Sequence, residues 1–267
     1  MLNNSSRGVA LITGASTGIG AVYADRLAKR GYDLILVARN AGKLRELAQR
    51  LESATGRSVE TLVADLNNKS DLGRVAGRLA TDTHITMLVS NAGIGSMAPL
   101  VSSDIDKMEE MISLNVIALT RLIHAAAPGF IARGSGTFIN IASIVGISPE
   151  TMNGIYGGTK AFVLALSQSL QHELADKGVR VQAVLPGATA TPFWELTGMP
   201  IANLPAGIVM TAEDMVDASL AGLDQGEVVT IPALPDLAEW TRYEAARRAM
   251  SGHLSNAAPA VRYGFAA

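Results

Sequence analysis

Seven short apolar runs recur along the chain: VALIT (9–13), DLILVA (33–38), VETLVA (59–64), ITMLVS (85–90), TFINIA (137–142), VRVQAVL (179–185) and EVVTI (227–231). They show little two-residue alternation, as expected of strands covered on both faces, and so predict a parallel sheet. Between them apolar residues return at i, i+3, i+4 and i+7, as in Leu44, Leu47, Ala48, Leu51 and in Leu72, Val75, Ala76, Leu79. This spacing predicts amphipathic helices. A longer helix is predicted from about 104 to 127, apolar on more than one face between Met111 and Ala127, and FVLALSQSLQHEL (162–174) is similar. Strand and helix alternate with no linker or internal repeat, which predicts an α/β fold: a Rossmann-like, doubly wound parallel sheet of about seven strands with helices on both faces. The expectation is a single domain over 1–267, with a core from about 8 to 232 and a C-terminal helix and tail over 233–267. After Pro186 the rhythm breaks into a long apolar stretch punctuated by prolines, which predicts a lid or binding loop.

Composition narrows the functions available. With 48% apolar residues and a net charge of −2, the chain has no charge bias toward nucleic acid or anionic membrane. It contains no cysteine, and His84, His124, His172 and His253 are too scattered for a zinc spacing, so no metal site is expected. The polar start MLNNSSRG lacks the apolar core of a secretory signal. The longest run free of Asp, Glu, Lys and Arg, 84–103, is interrupted by NAGIGS and Pro99, so no membrane span is expected. The default expectation is a cytoplasmic protein.

Chemistry begins with TGASTGIG (13–20), directly after the first apolar run and before the helical pattern GIGAVYADRLAKRG. Glycines at 14, 18 and 20 allow a tight turn and a close approach of backbone to a pyrophosphate at a helix N-terminus. The second signal is GIYGGTKAF (154–162), where Tyr156 precedes Lys160 by one helical turn. A phenol titrates near pH 10, so proton exchange near neutrality requires stabilisation of its anion; an ammonium on the same helix face supplies it. Gly157 and Gly158 each cost the helix about 1 kcal/mol relative to alanine. Close approach of a cofactor or partner helix is one reading of them, and a frayed first turn is the other.

TGASTGIG, NAG at 91–93, Asn115 in SLNV, Ser143 in NIASI and the Tyr156–Lys160 pair occur together and in order. On these motifs the chain resembles the short-chain dehydrogenase/reductase superfamily from about residue 8 to about residue 232. The resemblance implies catalytic roles for Asn115, Ser143, Tyr156 and Lys160. Ser143 would hold the substrate oxygen against the phenol, Lys160 would also bind the nicotinamide ribose, and Asn115 would hold a water in a proton relay. For Asn115 a local helix hydrogen bond stands as the alternative. It further implies cofactor contacts at Gly14, Ser16, Thr17, Gly18, Ile19 and Gly20. Asp65 and Leu66 would lie at the adenine, Asn91, Ala92 and Gly93 at the ribose, and Pro186, Gly187, Thr189 and Thr191 at the nicotinamide. Thr189 departs from the usual valine or isoleucine. A helix cap stands as the other reading of Asp65.

Cofactor choice is read from the end of the second run. An acidic residue there would suit a free ribose 2′-hydroxyl. The chain has VARN at 37–40, with no acid, and Arg39 stands where a guanidinium could grip a 2′-phosphate. NADP is therefore expected, against a merely solvated arginine. Candidate pocket walls are Ile94, Met97, Ile144, Val145, Pro149, Met152, Phe193, Trp194 and Met199, with Ser143, Ile144, Val145, Tyr156, Phe193 and Trp194 expected to touch substrate. No Lys or Arg lies in these segments to seize a carboxylate. The expectation is an oxidoreductase exchanging a hydride with an uncharged, fairly apolar carbonyl or secondary alcohol. A 3-oxoacyl thioester reductase and a dinucleotide-binding sensor without turnover stand as alternatives. By the same resemblance the chain is expected to form a homodimer or homotetramer. The added C-terminal helix departs from the family's compact reductases of fatty-acid synthesis and is expected to cover the pocket or a neighbouring subunit.

Overall fold

The computed structural model describes residues 7–264. The chain divides into two compact units, Met1–Pro232 and Ala233–Ala267. The first is built on seven parallel strands: β1 (Val9–Thr13), β2 (Asp33–Ala38), β3 (Val59–Val63), β4 (Ile85–Ser90), β5 (Gly136–Ile141), β6 (Val179–Val184) and β7 (Val229–Thr230). Their order across the sheet is β3-β2-β1-β4-β5-β6-β7. Every apolar run therefore became a strand. The chain leaves β1 toward β2 on one side and returns from β3 to place β4 on the other, which opens a crevice at the strand C-termini between β1 and β4.

Helices α1 (Gly18–Lys29), α2 (Ala41–Thr55) and α8 (Ala212–Asp224) cover one face, where Ile12, Leu36, Val89 and Ile139 meet Tyr23, Leu27, Leu44, Leu51, Val216 and Leu220. Helices α3 (Lys69–Thr81), α5 (Leu119–Arg133) and α6 (Gly154–Leu174) lie together on the other. The helical pattern reads through directly: Leu44, Leu47, Ala48 and Leu51 are all buried. Burial on both faces fails at β3, whose Glu60 and Val63 are exposed because this strand forms the sheet edge.

The helix expected from 104 to 127 runs from Ile105 to Arg133 but is not uniform. It comprises α4 (Ile105–Ile112), a π-helical turn over Ser113–Ala118, and α5. This run is long and apolar enough to cross a membrane by length and composition. Its inward residues Met108, Met111, Leu119, Leu122, Ile123, Ala126 and Phe130 are buried within the fold.

The stretch after Pro186 forms a pinned excursion. Ala190 N–H donates to Met210 O (2.8 Å) and Met210 N–H to Ala188 O (2.9 Å), closing the loop at its base. Between these points lie the short helix α7 (Phe193–Leu196) and two 3-10 turns. The second unit contains α9 (Leu237–Ala249), begun by the Asp236 carboxylate accepting from Ala238 N–H (2.8 Å).

One buried polar contact joins α1 to α8: the Tyr23 phenol is hydrogen-bonded to the Ser219 hydroxyl, and both residues are fully buried. Removing either hydroxyl strands the other. Tyr23→Phe and Ser219→Ala are each expected to lower stability by about 1–3 kcal/mol, with the double variant losing less than the sum. Urea denaturation of the four proteins measures this, and strictly additive losses would refute the pairing.

Candidate active site

The crevice is floored by the glycine turn after β1. Gly14 has φ +66°, a left-handed conformation, and a Cβ at Gly20 would overlap the Gly14 carbonyl oxygen and stand 2.6 Å from the Asn91 amide nitrogen. Only glycine fits both places. Asn91 Nδ2 donates to Thr13 O (2.9 Å) and Gly14 O (3.2 Å), while Thr13 Oγ1 accepts from Asn91 N–H and Ala92 N–H (3.0 Å each). Thr13 also donates to Val89 O at 3.3 Å. Thr13 and Asn91 thus stitch the turn to the end of β4. The sequence reading did not single out Thr13, because it terminates an apolar strand and only its cross-strand partners reveal the role.

Ser16, Thr17, Gly18 and Ile19 are partly exposed along this turn. Thr17 occupies the N-cap of α1 in extended conformation without a side-chain cap bond. The first amides of α1 therefore keep their donors, and together with the helix dipole they suit an anion. Thr191 from the excursion packs here too, since a Cβ at Gly18 would lie 3.1 Å from its side chain.

At the end of β2, Arg39 is exposed and its guanidinium has no hydrogen bond or ion pair among the described residues. Asn40 follows and caps α2 by accepting from Lys43 N–H (3.0 Å). After β3, Asp65 accepts from Asn67 N–H (3.0 Å) in a local turn beside buried Leu66. The helix-cap reading of Asp65 is corrected here. Asn68 caps α3, accepting from Ser70 N–H (2.9 Å) and Asp71 N–H (3.2 Å), because it is the residue that immediately precedes the helix.

Asn115 lies in the π-helical turn and is buried. Its Oδ1 accepts from Ile94 N–H (3.0 Å), and its Nδ2 donates to Ile94 O (2.9 Å) and Thr159 Oγ1 (3.1 Å). These bonds reach two other segments, so a local helix bond is not its role. A Cβ at Gly93 would meet Asn115 Oδ1 at 3.1 Å and Lys160 Nζ at 3.6 Å, which brings the NAG loop, Asn115 and Lys160 to one place.

Helix α6 is started by Asn153, whose Oδ1 accepts from Ile155 N–H (2.9 Å) and Tyr156 N–H (3.3 Å). Its Nδ2 holds Ala98 O (2.6 Å) and Ser103 Oγ (3.2 Å). The first turn is capped rather than frayed. Gly157 answers to the chain's own packing, for a Cβ there would stand 3.3 Å from Pro149 Cβ; Gly158 is exposed with nothing near it.

Tyr156 and Lys160 are buried, and Lys160 Nζ stands 5.7 Å from the centre of the phenol ring. Nζ donates to Ile141 O at the end of β5 (2.9 Å). Ser143, two residues further, lies beside the phenol; its hydroxyl accepts from Val145 N–H (3.3 Å) and donates to Pro186 O (3.4 Å) just beyond β6. On balance the phenol pKa is raised, against the net lowering expected. Burial raises the phenol, the neighbouring Ser143 hydroxyl offsets this only in part, and burial also draws the lysine down to about 8. With both groups desolvated, the neutral forms gain over the charged ones.

Around the phenol gather Val145, Ile94, Ile144, Met152, Ile155 and Phe193, with Met108 and Met111 from α4. The two methionines were not foreseen, since their spacing also fits plain core. Trp194 is buried, with its indole N–H on Thr189 O (2.8 Å), and so anchors the excursion; its ring packs edge-on to Phe193. The Thr189 hydroxyl donates to Gly187 O (3.1 Å). Among the described residues no group of His, Cys, Asp and Glu could hold a metal.

A parallel sheet with a glycine turn at its crevice and a buried Ser-Tyr-Lys cluster beside it defines a dinucleotide-dependent class of oxidoreductase. The family model "short chain dehydrogenase" matches residues 8–198, and the chain belongs to that family. It is 32% identical over 224 residues to an uncharacterized oxidoreductase of Staphylococcus epidermidis, covering 84% of this chain and 94% of that protein. The short-chain dehydrogenase from Sphingobium yanoikuyae in complex with NADPH superposes with a TM-score of 0.93 at 46% identity, covering 96% of this chain and all of the other. The bulky-bulky ketone specific alcohol dehydrogenase from Comamonas testosteroni gives 0.89 and 42%, covering 97% and 99%.

Thr13→Val removes the acceptor for two loop amides while keeping the side-chain shape. It is expected to cost about 1–3 kcal/mol of stability. Chemical denaturation measures the loss, and an unchanged midpoint would show that the stitch carries no energy.

Proposed function

We propose that this chain is an NADP(H)-dependent oxidoreductase that interconverts an uncharged, fairly apolar ketone or aldehyde and its alcohol. The observation that carries this reading is the buried phenol of Tyr156, with Ser143 beside it and Lys160 flanking it, within an apolar cluster. When bound, the nicotinamide supplies or accepts the hydride. The glycine turn with Ser16, Thr17, Gly18 and Ile19 holds the pyrophosphate, and Asp65, Leu66 and Asn91 to Gly93 hold the adenosine. Pro186, Gly187, Thr189 and Thr191 line the nicotinamide, and Arg39 grips the 2′-phosphate. The Sphingobium relative's complex with NADPH supports the cofactor choice.

Tyr156 serves as general acid. A phenol whose pKa is raised keeps its proton at neutral pH and gives it to the carbonyl oxygen as negative charge develops there. Ser143 donates a hydrogen bond to the same oxygen. Lys160 stabilises the phenolate that remains, and Asn115, fixed by Ile94 and Thr159, retains a lone pair on Oδ1 able to take a relay water. In oxidation the same groups run in reverse, with the phenolate as base.

The segments around the pocket, 94–112, 144–155 and 193–208, contain six acidic residues and a single base, Lys107. That field disfavours a polyanionic acyl thioester. The thioester reading has its support in a very-long-chain 3-oxoacyl-CoA reductase of Anas platyrhynchos, 34% identical over 193 residues, covering 70% of this chain and 62% of that protein. The Comamonas enzyme's ketone specificity supports the reading adopted. Exposed Ile112, Ile117, Ile131 and Phe162 support assembly with further copies of the chain.

Tyr156→Phe is expected to leave NADPH affinity near wild type and to lower kcat by about a hundredfold or more. Turnover of a ketone panel tests it; more than about a tenth of wild-type kcat removes the phenol from the acid role, and cofactor binding by the wild type without turnover would favour a sensor. Arg39→Ala is expected to weaken NADPH binding roughly ten- to a hundredfold, as one charge-assisted contact is worth, and to leave NADH unaffected. The kcat/KM values with both cofactors measure it, and a preference that does not move would refute the assignment.

A further inference from the structure

Gly95, between the NAG loop and the Ala98–Ser103 segment, supports a more specific statement about substrate selection. A Cβ built on it would lie 2.5 Å from Cζ and 3.1 Å from Cε2 of Phe193, and 3.3 Å from Cδ2 of Tyr156. The tip of the Phe193 ring therefore fills the space that any larger residue at 95 would take. The same ring stands 5.9 Å from the Tyr156 ring at 42°, centre to centre, and 5.8 Å from Trp194 in an edge-on contact. Phe193 is held there by its backbone as much as by its ring. It opens α7, Trp194 ties the next residue to Thr189 O (2.8 Å), and Met97 N–H reaches across to Thr197 O (3.4 Å). Part of the ring remains exposed.

We propose that Gly95 and Phe193 form a paired specificity gate beside Tyr156, set to receive a flat ring borne on the carbonyl carbon. The inference rests on the carbonyl-reducing reading above. A carbonyl oxygen held at the phenol places one substituent next to Phe193, whose aromatic surface rewards an aryl group with offset or edge-to-face packing. The depth of that slot is set by the missing Cβ at 95. Alanine there pushes the rigid ring as a unit into the slot, and the phenol ring, at 3.3 Å from the same point, yields by a few tenths of an ångström, a shift common to every ketone held at the phenol and so cancelled in a ratio of two substrates.

Acetophenone and 2-octanone, of equal carbon number, serve as probes with NADPH. Gly95→Ala is expected to lower the acetophenone to 2-octanone ratio of kcat/KM by about tenfold, as loss of one aromatic contact would. In a Phe193→Ala background the same substitution is expected to change the ratio by less than about twofold, since no ring remains to be displaced. Equal shifts in both backgrounds, or no shift in either, would overturn the gate.

A second readout separates the gate from the chemistry. The chain has two tryptophans, so Trp240→Phe leaves Trp194 as the sole emitter, adjacent to Phe193. Acetophenone binding is expected to quench Trp194 emission, more weakly after Gly95→Ala. If neither ketone turns over but this quenching and its loss are seen, the reduction reading falls and the gate stands. If turnover proceeds with no difference between the probes, the gate falls and reduction stands. If neither turnover nor quenching is seen, both fall.

Discussion

Burial of two ionisable side chains at the end of β5 is the constraint around which the site is arranged. Lys160 reaches through an apolar layer to Ile141 O, and Tyr156 keeps its phenol among methionine, isoleucine and phenylalanine side chains. Either group left bare in such surroundings would be costly. The surrounding polar atoms answer that cost: the Ser143 hydroxyl beside the phenol, the β5 carbonyl on the ammonium, and Asn115 and Thr159 bracing the turn between them. The parallel sheet supplies this order, since β4 pairs with β5 only as far as Asn140 and leaves the Ile141 carbonyl to the ammonium.

That environment gives the tyrosine a direction. In water an ammonium one turn away would ease ionisation of a phenol; in a desolvated pocket the lysine's own charge is penalised, and its help diminishes. The protein by itself therefore favours the protonated phenol.

Most of the fold was legible because a parallel strand buried on both faces must be largely apolar, and six of the seven strands show such burial along most of their length. The exceptions have local causes. β3 lies at the edge and exposes Glu60 and Val63, and the π-helical turn at Asn115 leaves no mark on an apolar periodicity. In the site, Ser143, Tyr156, Lys160 and the turn glycines were visible as residue types at fixed spacings. Residues acting through position were not. Thr13 looks like the end of a strand, Asn153 like a loop, and Gly95 like one more turn glycine; each acquires meaning only from atoms distant in sequence.

The bridge between Thr189 and Met210 carries a consequence for how such a protein can change over time. Because Ala190 and Met210 close the excursion at its stem, the loop's entropy of closure is settled at that point, and later insertions within it cost little more, growing only with the logarithm of length. Residues 198–209, beyond the contacts of Thr191, Phe193, Trp194 and Thr197, are in effect a replaceable cassette. Their composition and length are free to drift while β6, α8 and the buried Tyr-Lys pair keep their register, so a lineage could acquire new substrates without re-solving its fold.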